Sequence, residues 1–384
     1  MPESLAPAQA GVADVFRRFG GSYLKAHGAA MLPSHRRAIA DIVACRTEAL
    51  GGQRWGCTEC GTLSHVFHSC RNRACPTCHG EQTRSWLEQR QAEMLPVPYF
   101  HVTVTVPEEL RAVLRRHQVA GYGALIAASA SAITDLGRDR RWVGGTVGVL
   151  AVLHTWTQRL DYHPHVHCLV TGGGLSADGT TWHPAGKTTF LFPKSALAML
   201  ARARFRDALT KLGLHRDLPP HIWQIPWVVH ITPWSKGEQA VLDYLARYAF
   251  RIAITDRRIL AVTEETVTFR YKDRAADRDR TMTVPGHEFM RRFLQHVPPA
   301  GFHKVRYYGL WHSSRREHRH NLRNVLLLEQ PADPPAAAAV PGVPDAAQPA
   351  DPAAGPPEPR RCPHCKTGRL VLLGRLSPAR PQGP

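Results

Sequence analysis

The chain has 384 residues, is 43% hydrophobic and carries a formal charge of +18 at pH 7. That length and apolar share support two or three domains with at least one sizeable core, and they exclude a small scaffold held together by disulfides. The basic excess favours a polyanionic partner, nucleic acid before an anionic membrane, and no uninterrupted apolar run reaches the roughly 18 to 20 residues of a spanning helix. The opening stretch MPESLAPAQAGVADVF lacks the basic start and apolar core of a secretory signal, so a soluble cytoplasmic protein is expected.

In chain order, residues 35–50 carry Ile39, Ile42 and Val43 at helical spacing and run into Gly51 and Gly52, which predicts a helix and its stop. A second helix is predicted over 80–95, ended by Pro96 and Pro98, so that 1–97 forms a helical, zinc-binding module. From residue 99, YFHVTVTV alternates: Phe100, Val102, Val104 and Val106 take one face, His101, Thr103 and Thr105 the other. This is the pattern of a half-buried strand. Helices over 108–117 and 121–136, a strand over 146–154 and a strand holding HPHVHCLVT follow, and Gly172 to Gly174 with Asp178-Gly179 supply turns. Next come a helix over 195–212, a strand over 225–231, a helix over 238–250 and two strands within 258–271. Irregular alternation of helices and strands points to an α+β fold with a mainly antiparallel sheet. Residues 331–359 are mostly Pro, Ala, Gly and Asp and are expected to be a disordered linker, followed by a 360–384 tail that holds CPHC. No GxxxxGK[ST] loop occurs, so nothing points to ATP hydrolysis.

Six of the nine cysteines fall in one short stretch, which in a reducing compartment suggests metal ligation. CTEC at 57–60 and ACPTC at 74–78 are two CxxC turns with fourteen residues between Cys60 and Cys75. Short CxxC turns let thiolates converge on a tetrahedral zinc, so Cys57, Cys60, Cys75 and Cys78 are the expected ligands of a structural Zn2+. Cys70, His65 and His68 are substitutes or parts of a second site, and Cys45 suits a buried apolar position equally well. The later pair, Cys362 and Cys365, has no second pair after it and stays unassigned.

His163, His165 and His167 share one face of their strand, while Val166, Cys168 and Val170 share the other. Histidines on one face of a rigid strand can hold a divalent metal, although an HxH pair alone is more often two solvated side chains. Downstream, Tyr244 and Tyr248 stand at i and i+4 of the predicted 238–250 helix, so both phenols leave from one side. Tyrosines at that spacing are commonly core residues. Combined with a histidine-held metal they suit another task, since a metal can polarise a DNA phosphate and let a phenol attack phosphorus. The phosphodiester energy is then kept in a 5′-phosphotyrosine bond, and strands can be rejoined without ATP.

His165-Val166-His167 followed by Tyr244 and Tyr248 resembles the HUH endonuclease superfamily. SCRNRACPTC, PVPYFHVTVTVP, HPHVHCLVTGGGLS and YLARYAFRIAI, in this order, resemble the rolling-circle insertion-sequence transposases of the IS91 group, relatives of the Helitron transposases, over about 35–330. The resemblance implies metal ligation by His165 and His167, with Mg2+ or Mn2+ as the catalytic ion, and nucleophilic roles for Tyr244 and Tyr248, of which Tyr244 is the first choice. It also implies an antiparallel sheet of four or five strands with helices on one side, within a catalytic domain spanning 98–330. The third ligand is open between His101, His163 and Asp243, with His101 preferred for its place on a neighbouring strand.

Single-stranded DNA binding combines cationic grooves with aromatic stacking. Arg141-Trp142, Trp156, Arg159, Trp223, Trp227, Trp234 and Lys236 interleave the two, and KVRYYGLWHSSRREHRHNLR at 304–323 does so densely. Arg251, Lys304, Arg306, Arg315, Arg316 and Arg319 are the expected DNA contacts. The expected activity is nicking and transfer of single-stranded transposon ends. The alternatives are a plasmid or phage replication initiator of the same chemistry, a zinc-ribbon regulator without catalysis, and a zinc hydrolase built on the histidines.

Overall fold

The computed structural model describes residues 10–78, 94–216, 218–236, 253–273, 276–328 and 361–379. The predicted 238–250 helix, most of the 80–95 helix and the 331–359 linker lie outside these residues, and with them Tyr244, Tyr248, Asp243 and Arg251. The chain divides into two compact units, Met1–Val43 with Arg71–Leu328, and Ala44–Cys70 with Glu329–Pro384. The expected succession of 1–97, 98–330 and tail therefore does not map onto the units one to one, because the N-terminal helices belong with the large unit and the tail with residues 44–70.

At the centre of the large unit is an antiparallel sheet formed by β3 (Pro98–Thr105), β4 (Thr146–Trp156), β5 (Tyr162–Leu175), β6 (Trp182–Pro184), β7 (Val228–Lys236) and β11 (Val305–Gly309). Its order is β11-β4-β5-β3-β7, with β6 pairing the far end of β5. The fold is α+β and antiparallel, as the strand patterns indicate, with one more strand than the four or five expected.

Alternation decides what each face does. Val102 and Val104 of β3, Val149, Ala151 and Leu153 of β4, and Val166, Cys168 and Val170 of β5 point to one side, into the main core with helices α4 (Gln118–Arg138) and α5 (Lys194–Lys211). Tyr99, Leu150, Val152 and Leu169 point to the other, where Trp311 and helix α7 (Arg316–Leu328) cover one end in a smaller core. Burial of a large apolar side chain is worth about 1.5–3 kcal/mol, so both faces contribute to holding the strands in register. Helix α4 is long and apolar enough to cross a membrane by length and composition, contrary to the expectation that no such segment exists, but most of its apolar window is buried in the protein.

A second antiparallel sheet in this unit, β8 (Ile259–Val262), β9 (Thr266–Asp273) and β10 (Arg278–Pro285), packs with α1 (Val12–His27) and α6 (Gly286–Leu294). Phe16 meets Phe293 edge-on at 5.0 Å, and the Val12 amide donates to Asp256 Oδ1 at 2.8 Å. Helix α2 is Pro33–Ala44, shorter than the predicted 35–50. Arg46 takes a left-handed φ of 57°, and the Thr47 hydroxyl caps the Ala44 carbonyl at 2.8 Å. Helices α3 (Arg111–Arg116) and α4 occupy the two predicted positions after β3.

The small unit is a three-stranded antiparallel sheet in the order β12-β1-β2, from β1 (Gly52–Cys57), β2 (Leu63–Phe67) and β12 (Leu370–Leu376). Its middle strand comes from the N-terminal third of the chain and its outer strand from the tail, with Gly52 opposite Leu376 and Cys57 opposite Leu370.

Candidate metal and DNA-processing site

Between α7's end of the sheet and the β4–β5 turn, the second face changes from apolar to imidazole. Tyr99 is followed two residues on by His101, Leu150 and Val152 by His154, and Leu169 is preceded by His167 and His165. Strand register brings them side by side: His154 lies opposite His165, Val152 opposite His167, and Thr103 opposite His167 on the other flank. The β4–β5 turn fixes this register. Leu160 sits there at a left-handed φ of 62°, Thr157 and Asp161 bond each other through side chain and backbone at about 3.1 Å, and Gln295 Nε2 donates to the Leu160 carbonyl at 2.8 Å.

Each of His154, His165 and His167 offers a ring nitrogen within 4.8 Å of the others. His165 Nδ1 lies 2.7 Å from the His163 carbonyl oxygen, which can only accept, so Nδ1 carries the proton and Nε2 keeps the lone pair. That Nε2 faces His167 Nε2 at 3.1 Å. The opposite nitrogen of His167, Nδ1, meets His101 Nε2 at 2.8 Å and Thr103 Oγ1 at 3.2 Å. His101 thus stands behind His167, where a group that orients a ligand would stand. The third imidazole facing the other two is His154, only 3% exposed, and not the expected His101. In the sequence His154 is marked only as the one histidine in the mostly apolar β4. His163 is outside that group: its ring centroid lies 5.3 Å from that of His165, and its Nδ1 is held at 3.0 Å by the Arg111 guanidinium.

Indoles close both ends of the row. Trp156 stacks on His154 with ring centroids 4.4 Å apart, and Trp234 meets His101 edge-on at 5.6 Å. Behind Trp156 a cleft is lined by Arg73, Tyr122, His296, Phe302 and Lys304. Burial and the Arg73 guanidinium hold the Lys304 ammonium down at about 8, with its Nζ 6.0 Å from the Trp156 ring centre. Burial holds His296 neutral, its pKa down at about 3, between the Thr155 hydroxyl at 3.1 Å and the Leu160 carbonyl at 3.2 Å. Tyr162, next to His163 in sequence, is a poor nucleophile. Burial and the adjoining Tyr122, whose hydroxyl is 2.6 Å away, push its pKa far above the ordinary phenol value.

The basic segment is divided between strand and helix. Lys304 immediately precedes β11 and Arg306 lies within it at the sheet edge, its guanidinium 5.3 Å from the Phe302 ring centre, while Arg316 is exposed and Arg315 half-buried. Arg319 is 4% exposed and donates to the Leu310 carbonyl at 3.1 Å, so it supports α7 and is not a surface contact for DNA. Trp227 is a core residue and Trp223 packs against the same core, whereas Arg141 and Arg159 are exposed.

The cysteines pair differently from expectation. Cys57 and Cys60 come together with Cys362 and Cys365 of the tail, every sulfur within 4.8 Å of the rest. Cys75 and Cys78, the other knuckle of the expected ribbon, fall in the large unit. The reason is the β1–β12 ladder, which carries the tail turn to the end of β1; sequence spacing alone could not reveal that pairing. The Thr62 hydroxyl and backbone hold the Cys60 thiol down at about 5, and the Thr367 hydroxyl and the Gly368 amide hold Cys365 down at about 7. Both are environments that favour thiolates.

Residues 148–319 match the family described as "Putative transposase", and residues 15–106 match the family described as "Transposase zinc-binding domain". Over 342 residues the chain is 40% identical to "Putative transposase y4qJ" of Sinorhizobium fredii, covering 84% of this chain and 85% of that one. Over 291 residues it is 27% identical to "Transposase for insertion sequence element IS801" of Pseudomonas savastanoi pv. phaseolicola, covering 71% and 68%. No solved structure matches. These matches make the chain a DNA-processing enzyme, and its central antiparallel sheet presents clustered imidazoles. The chain belongs to the IS91-type insertion-sequence transposases, with their N-terminal zinc-binding domain.

Proposed function

We propose that this transposase nicks single-stranded DNA at element ends through a 5′-phosphotyrosine intermediate and transfers the strands in rolling-circle transposition. The observation that carries the reading is the group of His154, His165 and His167 on one face of the central sheet. Three imidazoles with the protons of at least one ring fixed away from the centre suit a divalent ion, Mg2+ or, given nitrogen donors, Mn2+. When bound, such an ion supplies charge stabilisation to the phosphate under attack. His101 and Thr103 keep His167 Nε2 turned toward the site by engaging its Nδ1.

Tyr244 and Tyr248 supply the nucleophiles. The phenol oxygen of one forms a bond to phosphorus, the bond from phosphorus to the 3′ oxygen breaks, and the departing 3′ oxygen takes up a proton. Attack by a 3′-hydroxyl on the phosphotyrosine reverses these changes and joins strands, so no nucleotide cofactor is consumed. The second phenol receives the other strand during transfer. Trp156 and Trp234 flank the imidazole row and give unpaired bases faces to stack on, and Lys304, Arg306, Arg315, Arg316 and Arg251 contribute phosphate contacts.

The test is nicking of single-stranded DNA carrying the element ends, with Mn2+ or Mg2+ and with Zn2+ as control. The proposal expects metal-dependent nicking lost in His167→Ala and in the Tyr244→Phe/Tyr248→Phe double variant. Turnover that needs His167 but neither tyrosine would mean a hydrolase. Tight DNA binding with no nicking in any metal would leave a zinc-ribbon regulator.

A further inference from the structure

The tail after residue 360 lies beyond both family matches, which end at 106 and 319. It nevertheless supplies half of a thiol tetrad and one strand of the small sheet. The two contributing turns have the same construction. In the first, the Gly61 amide donates to the Cys57 carbonyl at 3.3 Å and Gly61 is left-handed at φ 68°; in the second, the Lys366 amide donates to the Cys362 carbonyl at 2.9 Å and Lys366 is left-handed at φ 60°. Both turns then close back on their first cysteine, whose amide donates to the Thr62 carbonyl at 3.1 Å for Cys57 and to the Gly368 carbonyl at 2.7 Å for Cys362. Two matched CxxC turns, each with its sulfurs aimed at the other, form one arrangement.

The sulfur spacing fits a particular ion. Cys57 Sγ lies 3.6 Å from Cys365 Sγ, and Cys60 Sγ lies 3.8 Å from Cys362 Sγ. A tetrahedral zinc with bonds of about 2.3 Å separates its sulfurs by about 3.8 Å, whereas a disulfide needs about 2 Å. One backbone group donates to sulfur, as a thiolate site requires: the Gly368 amide reaches Cys365 Sγ at 3.3 Å. Gly368 also leaves a space that no other residue could leave, since a Cβ there would stand 2.3 Å from Cys57 Sγ.

We propose that Cys57, Cys60, Cys362 and Cys365 hold one structural Zn2+, so that the C-terminal tail is an integral part of the zinc-binding module. The ion joins the β1–β2 segment and the tail in one small sheet. Binding releases the protons of those cysteines that are still thiols and changes no oxidation state.

Zinc per chain is measured by mass spectrometry of metals in the purified full chain, wild type against Cys362→Ser/Cys365→Ser and Cys57→Ser/Cys60→Ser. The proposal expects each double variant to lose one equivalent relative to wild type. Because loss of folding alone could also lose metal, a single Cys365→His variant is loaded with Co2+. It is expected to keep the equivalent while its visible absorption moves from the bands of a four-sulfur site to those of a three-sulfur, one-nitrogen site. Unchanged zinc in the tail variant, or an unchanged cobalt spectrum in Cys365→His, would overturn the assignment. So would disulfides joining Cys57 to Cys365 and Cys60 to Cys362 in metal-free protein.

Discussion

The imidazole row and the thiol tetrad both gather potential ligand atoms within 4.8 Å of one another, but they are assembled by opposite routes. The imidazoles come from neighbouring strands of one sheet, three of them from the single hairpin β4–β5, whose register is set by a five-residue turn. The thiols come from positions about 300 residues apart, and the ladder between β1 and β12 brings them together. A site on one hairpin has its geometry fixed by local backbone and survives loss of the metal. A site made from two segments distant in sequence is expected to depend on its metal for much of its stability, because a three-stranded sheet this small buries little apolar surface.

The comparison can be broken first at the imidazoles. His154→Ala is expected to reduce metal-dependent nicking to background while leaving the far-UV circular dichroism unchanged. His101→Ala acts through His167, and a loss of about 10- to 100-fold is expected, appearing as a higher metal requirement and recovered in part by His101→Asn. Equal losses in His154→Ala and His101→Ala, with no change in metal requirement, would remove the distinction between ligand and orienting residue.

At the thiols, a strong zinc chelator is expected to abolish amide-exchange protection in Gly52–Cys57 and Leu370–Leu376, with protection in Thr146–Trp156 kept. Structural zinc typically contributes about 10 kcal/mol or more of apparent binding energy, enough to hold a sheet that cannot fold alone. Gly368→Ala should weaken zinc binding by about 10-fold in a competition titration with a chromogenic chelator, since its Cβ would press on Cys57 Sγ.

The smallest effect is a pH slope. Burial keeps His296 and His35 neutral in the large unit, with pKa values down at about 3 and about 4. The unfolded chain takes up these protons near 6.5, so the stability they carry is complete above that pH and falls as pH drops from 6.5 toward 4. The slope is at most about 1.4 kcal/mol per pH unit for each histidine. Chemical unfolding between pH 4 and 8 measures it, and His296→Gln, which can still meet Thr155 and the Leu160 carbonyl, should flatten it.

How far the sequence revealed these features follows from the same contrast. The period-two pattern of YFHVTVTV and of HPHVHCLVT reports which side chains share a face, so β3, β5 and the placement of His165 and His167 on one face are readable from it. His154 was hidden because β4 is buried along nearly its whole length, and a histidine in an apolar strand carries no mark of its neighbours until register is known. The thiol pairing was hidden for a stronger reason. Two CxxC turns close in sequence suggest one site, but the tail strand wins Cys57 and Cys60 through six paired residues of β-ladder. Arg319 shows the limit of composition: a basic segment supplies charge on average, while the helix it folds into turns one guanidinium inward to a carbonyl.

The most direct test of the central claim is to trap the covalent complex on circular single-stranded DNA with Mn2+, digest it and sequence the nucleotide-bearing peptide. The account predicts a 5′-phosphotyrosine at Tyr244 or Tyr248, present in wild type and absent in His154→Ala. A phosphotyrosine elsewhere, or the same adduct formed without His154, would contradict it.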